Sequence, residues 1–389
     1  MRLLHVHSGN LYGGVETLLS TLAHYRALCA EMDPEFALCF DGRIAAELRQ
    51  AGTMVHILGR VRARNPVQVI RARRRLIQIL SAGAFDAVIC HMAWPLAIFG
   101  AAVRRIKVPL IFWMHDAVIR RNWLVLWAGL SSPDLVLCNS RYTASTLGRL
   151  FNAVPFETLY YPVVRRAEKL ESAQREMLRS HLNTPSEAVV ILQASRMESW
   201  KGHWLLLDAL ARLADVPQWV CWIAGGPQRH EEIAYAKALH ARAAALGLAQ
   251  RIHFLGQRSD IAQLLAAADI YCQPNLGAEP FGIAFVEAMY AGLPVVTTAA
   301  GGPLEILDES SGLFVRPNDT LSLATMLGRL IADQGERRRL GANGARRAAQ
   351  LCEPARQLQR LHAITQQSVN LNRTARHWYT YAASCEHSR

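Results

Sequence analysis

Apolar positions recur along this chain with two alternating periods. Short apolar runs (LLHVHS, FALCF, VHIL) alternate with longer stretches whose apolar residues return every three or four positions (GGVETLLSTLAHYRAL, RIAAELRQAG, VQVIRARRRLIQILSAG). The first kind suits buried strands and the second amphipathic helices. AVICHM, PLIFWMHD and LVLCNS continue the strand series. After Tyr161-Pro162 the pattern restarts with strands AVVILQAS, WVCWIAGG, RIHFLG, IYCQP and PVVTT. Helical stretches HWLLLDALARLA, YAKALHARAAALGL, IAQLLAAA and FVEAMYA separate them. Two runs of strand–helix units predict two doubly wound parallel-sheet domains. Segment 163–187 is polar and reads as linker plus helix, and periodicity fades after about Gln366, which predicts a loose tail.

Composition agrees with a soluble globular class. The 389 residues are 51% apolar and 19% charged, enough chain for two cores. The N-terminus runs straight into a strand-like stretch and shows no signal-peptide pattern. The uncharged stretches Ala87–Val103 and Ala288–Leu304 are broken by Pro and Gly, so neither reads as a membrane span. The eight cysteines are scattered and none forms CxxC, which points to buried free thiols in a reducing compartment. Charge is uneven. Residues 1–166 hold 20 Lys/Arg against 10 Asp/Glu, whereas the remainder holds 23 against 21. Arg60, Arg62, Arg64, Arg71, Arg73, Arg74 and Arg75 crowd one segment, and Arg104, Arg105 and Lys107 another. A basic first half fits an anionic membrane surface, or simply a solvated Arg-rich helix face.

The densest chemistry lies in residues 277–305, GAEPFGIAFVEAMYAGLPVVTTAAGGPLE. Glu279 and Glu287 stand eight apart, a spacing that the pair Glu168 and Glu176 shares, so context must separate them. Here a strand, a Gly/Pro loop and a helix follow one another. The backbone N–H groups of Phe281, Gly282 and Ile283 are then expected at a helix N-terminus, where they and the dipole favour an anion. Glu287 falls one turn further on the same face, and its carboxylate suits a hydroxyl. Phosphate donors beside hydroxyl-binding acids fit a nucleotide sugar.

Other motifs fall at strand ends, where such sheets bind ligands. Gly13-Gly14-Val15-Glu16 opens the first helix, as a phosphate- or acceptor-facing turn or an ordinary tight one. Arg196 and Lys201 follow AVVILQAS and suit a diphosphate, Arg as a fork and Lys as a point charge. Gly225-Gly226-Pro227 and Phe254-Leu255-Gly256 leave room for a base or ribose, or mark close turns. His115 ends PLIFWM, where it could meet a sugar hydroxyl or be structural. Gly301-Gly302-Pro303 with Glu305 reads as a second helix-opening turn. D-x-D, zinc spacing, Walker A and G-x-S-x-G are all missing from the sequence.

Taken in order, these motifs resemble a retaining GT-B glycosyltransferase of family 4, the glycosyl transferases group 1, over residues 1 to about 360. The resemblance implies two Rossmann-like domains facing a cleft, with boundaries read as 1–163 (acceptor side) and 164–360 (nucleotide-sugar side). Residues 361–389 would form a C-terminal helix or tail crossing back to the first domain. It also implies roles. Arg196 and Lys201 would hold the donor diphosphate, and Glu287 the ribose hydroxyls. Glu279 would hold hydroxyls of the transferred sugar, with Phe281, Gly282 and Ile283 near that sugar and the phosphates. His115 would sit by the anomeric centre. Gly14 would line the phosphate and acceptor side, and Gly226 the donor side. No cofactor or metal is expected, the substrate being a UDP-, GDP- or ADP-sugar. The acceptor is read as a lipid-linked, envelope or exopolysaccharide glycan, and the location as cytoplasmic, peripheral on the inner face of the membrane. Two departures stand out: Tyr160-Tyr161-Pro162-Val163 replaces an Asn-Gly-Val-Asp-like turn, and Ala278 stands where glycine is common.

Alternatives remain at this stage. Another GT-B nucleotide-sugar enzyme of epimerase type would act without an acceptor, and a catalytically silent scaffold would lack the charged residues found here. A NAD-dependent dehydrogenase needs GxGxxG in the first turn, which is missing. No nucleic-acid-binding signature accompanies the basic half, so no nucleic-acid partner is expected.

Overall fold

A computed structural model of the protein describes residues 1–9, 12–165 and 170–386, so Glu168 lies outside the described residues. Two compact units divide the chain, Met1–Pro162 with Pro354–Arg389, and Val163–Glu353. The expected boundaries at 163/164 and 360/361 thus fall one and seven residues later than the observed ones.

In the first unit the strands are β1 (Arg2–His7), β2 (Asp33–Leu38), β3 (Val55–Ile57), β4 (Ala87–His91), β5 (Leu110–Met114), β6 (Leu135–Cys138) and β7 (Phe156–Thr158). They form one sheet in the order β3-β2-β1-β4-β5-β6-β7, with every pair parallel. Helices α1 (Gly14–His24), α2 (Arg43–Gln50), α3 (Pro66–Ala82), α4 (Ala93–Ile106), α5 (Trp123–Gly129) and α6 (Arg141–Ser145) make the crossovers. The central strands β4 and β5 are buried at every residue. That burial explains why they read as continuous apolar runs and not as alternating ones.

The second unit repeats the plan with α7 (Ser172–His181), β8 (Val189–Ala194), α8 (His203–Ala211), β9 (Trp219–Ala224), α9 (His230–Ala245), β10 (Ile252–Gly256) and α10 (Ile261–Ala267). It continues through β11 (Ile270–Gln273), α11 (Ile283–Tyr290), β12 (Val295–Thr298), α12 (Pro303–Ile306), β13 (Gly312–Val315), α13 (Thr320–Ala332) and α14 (Gln334–Cys352). Its sheet runs β10-β9-β8-β11-β12-β13. Strand order therefore reverses between β8 and β11, the switch point at which such sheets leave a crevice at their carboxyl ends.

Three features depart from the pattern reading. β7 is an edge strand with exposed Phe156 and Glu157, so it carries no burial signal. α14 buries Glu336, Leu340, Gly344, Ala348 and Cys352 at four-residue spacing, but Glu, Gly and Ala in that stripe give it little apolar signal. The expectation of a loose tail after Gln366 is corrected: one helix, α15 (Pro354–Glu386), runs through it and belongs to the first unit. Polar contacts anchor it, with Arg373 Nη2 2.7 Å from Asp86 Oδ1 and Thr365 Oγ1 3.5 Å from Met1 Sδ. Beneath them Leu358, Leu361, Thr365, Ser368 and Val369 are buried at helical spacing, a stripe whose Thr and Ser weaken the apolar period. Seven cysteines (29, 39, 90, 138, 221, 272, 352) are buried free thiols, and burial pushes Cys39, Cys90 and Cys138 up to about 12. Among the described residues no helix is long and apolar enough to cross a membrane.

The polar segment before β8 is fixed by one buried side chain. Arg179 of α7 donates to Ala267 O at 3.0 and 2.9 Å, to Ala188 O at 3.0 Å and to Asp269 Oδ2 at 2.6 Å. Asp269 in turn accepts the Val190 N–H of β8 at 2.7 Å. Removing the guanidinium would leave the Ala267 and Ala188 carbonyls without this donor, while Arg175 still pairs with Asp269 at 2.8 Å. Arg179→Ala is expected to cost about 1–3 kcal/mol, read as a lower urea midpoint.

Candidate functional site

The second unit gathers most of the expected residues at its switch point. Arg196 and Lys201 lie in the loop after β8, and Glu279 in the loop after β11. Phe281, Gly282 and Ile283 lead into α11, as the sequence suggested, and Ile283 is its first residue. Lys201 Nζ is 2.6 Å from Glu279 Oε2 and lies 3.9 Å from the centroid of the Trp200 ring. Asn275 Nδ2 donates to the same Oε2 at 3.0 Å and Gln273 Nε2 at 3.4 Å. Glu287, half-buried on α11, shares the neighbourhood. Burial raises the Tyr271 phenol well above its ordinary value, and the nearby Glu287 and Glu279 carboxylates push it further up.

Arg196 is also paired. Its Nη2 is 2.9 Å from Glu232 Oε1 and its Nη1 3.2 Å from Glu198 Oε1, while its Nε is buried without a partner. Glu232 Oε2 accepts the Gln228 N–H at 2.6 Å, so the carboxylate staples the Gly225–Arg229 turn to Arg196. Sequence reasoning passed over Glu232, Gln273 and Asn275. The signal available was an acid three residues into a helix, the N-terminal capping position.

Close backbone approach builds this arrangement. Gly202 has φ 76°, and a Cβ there would fall onto the Pro274 carbonyl oxygen. A Cβ on Gly225 would fall onto Ser195 O, and one on Gly226 would stand 3.1 Å from Gln257. Gly301 and Gly302 lie against the backbone of Glu279 and Pro280, with the Gly302 N–H donating to Glu279 O at 2.8 Å. The Gly301-Gly302-Pro303 turn does open a short helix, α12, and it also braces Glu279.

The first unit holds His115 and Gly14. Gly14 is the exposed first residue of α1. The Gly13 N–H beside it is capped by Glu16 Oε2 at 2.9 Å, and Glu16 Oε1 lies 2.8 Å from His7 Nε2. His115 is buried and ends a line of imidazoles. His5 Nδ1 is 2.9 Å from His91 Nε2, and His91 Nδ1 is 2.9 Å from His115 Nε2. His115 Nδ1 meets the Tyr161 hydroxyl, and Asn139 Nδ2 donates to that hydroxyl at 3.1 Å and to His115 O at 2.9 Å. Both ring nitrogens of His115 are thus engaged by protein. Tyr161 belongs to the turn that departs from the family pattern. Met92, next to His91, holds φ 72° and ψ 164°, a region costly for any residue but glycine.

Burial keeps these imidazoles neutral. It lowers His5 to about 3 and holds His91 and His115 well below 6.5, with neighbouring imidazoles adding to the effect on both. A base whose folded pKa is depressed binds fewer protons folded than unfolded. Stability is therefore whole above the unfolded value near 6.5 and falls as pH drops below it. For His5 alone the loss between pH 7.5 and 5 is about 2 kcal/mol. The urea midpoint should fall steeply over that range, and His5→Phe should flatten the slope.

Comparison with known proteins follows the same division. The family described as Glycosyltransferase Family 4 matches residues 12–163, and Glycosyl transferases group 1 matches residues 174–347. A D-inositol 3-phosphate glycosyltransferase of Xylanimonas cellulosilytica is 30% identical over 298 residues, covering 69% of each chain. A phosphatidyl-myo-inositol mannosyltransferase of Mycobacterium leprae is 29% identical over 287 residues, covering 72% of each chain. Against the first three D-inositol 3-phosphate glycosyltransferases, the chain spans 63%, 69% and 51% of their length. Anabaena HepE, solved in complex with UDP-glucose, superposes with TM-score 0.83 at 25% identity, covering 94% of this chain and 100% of that one. The two Rossmann-like parallel-sheet units are those of the GT-B fold. The chain belongs to the glycosyl transferases group 1, its first half carrying the glycosyltransferase family 4 segment.

Proposed function

We propose that this protein moves a sugar from a nucleoside-diphosphate sugar to a lipid-linked or envelope polysaccharide acceptor. It does so with retention at the anomeric carbon and without a metal ion. The observation that carries the reading is the Lys201–Glu279 pair at the switch point of the second sheet, directly before the N-terminus of α11. A departing diphosphate gains negative charge as the anomeric bond breaks. Lys201, Arg196 and the α11 N-terminus supply compensating donors. Glu279 then reads sugar hydroxyls and Glu287 the ribose. His115, whose ring nitrogens are engaged by His91 and Tyr161, is the residue assigned to the anomeric centre. Solved HepE complexes with UDP and with UDP-glucose favour a UDP-sugar as the first donor to try.

Both cations are matched by carboxylates, Lys201 by Glu279 and Arg196 by Glu232. Lys201→Ala is expected to lower the rate by roughly 100-fold or more, since one lost transition-state donor costs about 2–4 kcal/mol. Turnover and donor binding should survive excess EDTA. A thermal-shift panel of UDP-, GDP- and ADP-sugars, with and without EDTA, tests both the class and its metal independence, and stabilisation that disappears with EDTA would sink the metal-free mechanism.

The acceptor side of the reading rests on the surface of the first unit. Trp123, Leu126 and Leu130 are 56%, 58% and 83% exposed at helical spacing along and just after α5, next to Ile119, Arg120 and Arg121. Val67 and Ile70 are exposed on α3 beside Arg71 and Arg74. Exposed apolar side chains among arginines suit the interface of an anionic membrane. Arg73 is not part of that surface. Its Nε donates to Ile98 O at 2.5 Å, and its guanidinium lies 6.0 Å from the Trp127 ring. Arg104 is likewise tied, to Asp134 at 2.7 Å. Peripheral attachment at the cytoplasmic face is the corresponding location. Co-sedimentation with phosphatidylserine vesicles should weaken with salt and drop by about 100-fold when Arg71, Arg74 and Arg75 become Gln, at roughly 1 kcal/mol per residue. Equal binding to phosphatidylcholine vesicles would leave a soluble acceptor.

A further inference from the structure

We infer that Asn275 and Gln273 are positioning residues that fix the Glu279 carboxylate so that a single oxygen, Oε1, reads the transferred sugar. The inference rests on the nucleotide-sugar reading above and adds to it the residues that set sugar recognition.

The orientation of both amides follows from chemistry. An ionised carboxylate only accepts hydrogen bonds, so each amide must turn its nitrogen toward Glu279. Asn275 Nδ2 and Gln273 Nε2 do so, at 3.0 and 3.4 Å. Their oxygens are then committed elsewhere. Gln273 Nε2 also donates to Asn275 Oδ1 at 3.0 Å, and the single Tyr271 hydroxyl proton is divided between Gln273 Oε1 at 2.9 Å and Ala194 O at 3.0 Å. Burial keeps that phenol protonated, hence a donor. Gln273, Asn275 and Glu279 thus form one directional relay of buried groups, from Gln273 Nε2 to Asn275 Oδ1 and from both amides to the carboxylate.

Every donor in the cluster, Lys201 included, lands on Oε2. Oε1 accepts no hydrogen bond from any described residue, and it is not among the sealed buried atoms. Gly301 and Gly302 hold the backbone of the same residue, with the Gly302 N–H on Glu279 O. Three donors on one oxygen and a fixed backbone leave the carboxylate plane little freedom. The free oxygen has lone pairs for hydroxyls in one direction only, which is what discrimination between sugar epimers needs. The relay explains why a buried Gln-Pro-Asn run follows the strand, where an apolar run would pack as well.

The test separates sugar contact from diphosphate contact. Titration calorimetry gives the Kd of UDP, GDP and ADP and of UDP-glucose, UDP-galactose, GDP-mannose and ADP-glucose for wild type, Asn275→Ala and Asn275→Asp. The ratio of Kd for the free diphosphate to Kd for its best sugar derivative isolates the sugar. That ratio should fall about tenfold in Asn275→Ala. It should fall further in the isosteric Asn275→Asp, which turns an acceptor toward Glu279, and discrimination between UDP-glucose and UDP-galactose should narrow. Kd for the free diphosphate should stay within roughly twofold, because Lys201 and Arg196 are untouched. A merely structural role would weaken both ligands together, and that outcome overturns the inference. So does an unchanged ratio in both variants, or a wild type that binds a diphosphate with no gain from the sugar. A wild type that binds none of these nucleotides removes the proposed function itself, and the inference with it.

Discussion

Close approach of backbone to backbone is the constraint on which the second unit's site depends. Lys201 reaches Glu279 because Gly202 lies against the Pro274 carbonyl, and Leu276 N–H donates to Trp200 O at 2.7 Å. Gly225 lies against Ser195 in the same way, which brings the Glu232 staple to Arg196. Gly301 and Gly302 close the far side under Glu279. A side chain at any of these glycines would push two loops apart. The ion pairs would then be lost, because Arg196, Lys201 and Glu279 are carried by these loops and only Glu232 stands on a helix, α9. Glycine serves here by its missing Cβ, and at Gly202, Gly225 and Gly301 by its positive φ as well.

What those loops assemble is a set of matched charges. Arg196 faces Glu232 and Glu198, and Lys201 faces Glu279. Partly buried cations left unpaired would be costly, and these carboxylates offset that cost. On the nucleotide-sugar reading proposed above, a diphosphate would exchange for these acids, and exchange of one anion for another costs far less than burying a new charge.

The first unit uses neutral polar groups in place of charges. Three imidazoles cross β1, β4 and the end of β5 and finish on Tyr161, with Trp113 stacked against His91 and His115. A neutral imidazole both donates and accepts, so a line of them can satisfy itself with one common polarity. The cost appears at the ends. His5 Nε2 and Trp113 Nε1 are buried without partners, and Met92 is held in a strained conformation beside the line. A structure that carries these costs ties the position of His115 to residues on three strands and on the Tyr161 turn.

The sequence by itself determined the two doubly wound sheets, because parallel strands buried on both faces must be apolar and their crossovers amphipathic. It also determined the placement of Glu279, Phe281, Gly282, Ile283 and Glu287 around a helix start, since strand, loop and helix there are contiguous. Tertiary structure alone decided the partners. Lys201 and Glu279 are 78 residues apart, Arg196 and Glu232 36, and His5 and His91 86. No local pattern encodes such contacts, because they depend on which strands become neighbours where the order reverses. The same holds for Arg73 and Trp127: the sequence shows a basic run and an aromatic, but only the packing of α3, α4 and α5 decides that Arg73 turns inward and Trp123 outward. The tail is the converse case. Its helix buries Leu358, Leu361, Thr365, Ser368 and Val369 along one face, but Thr and Ser interrupt the apolar stripe, so only the fold shows that this face is covered.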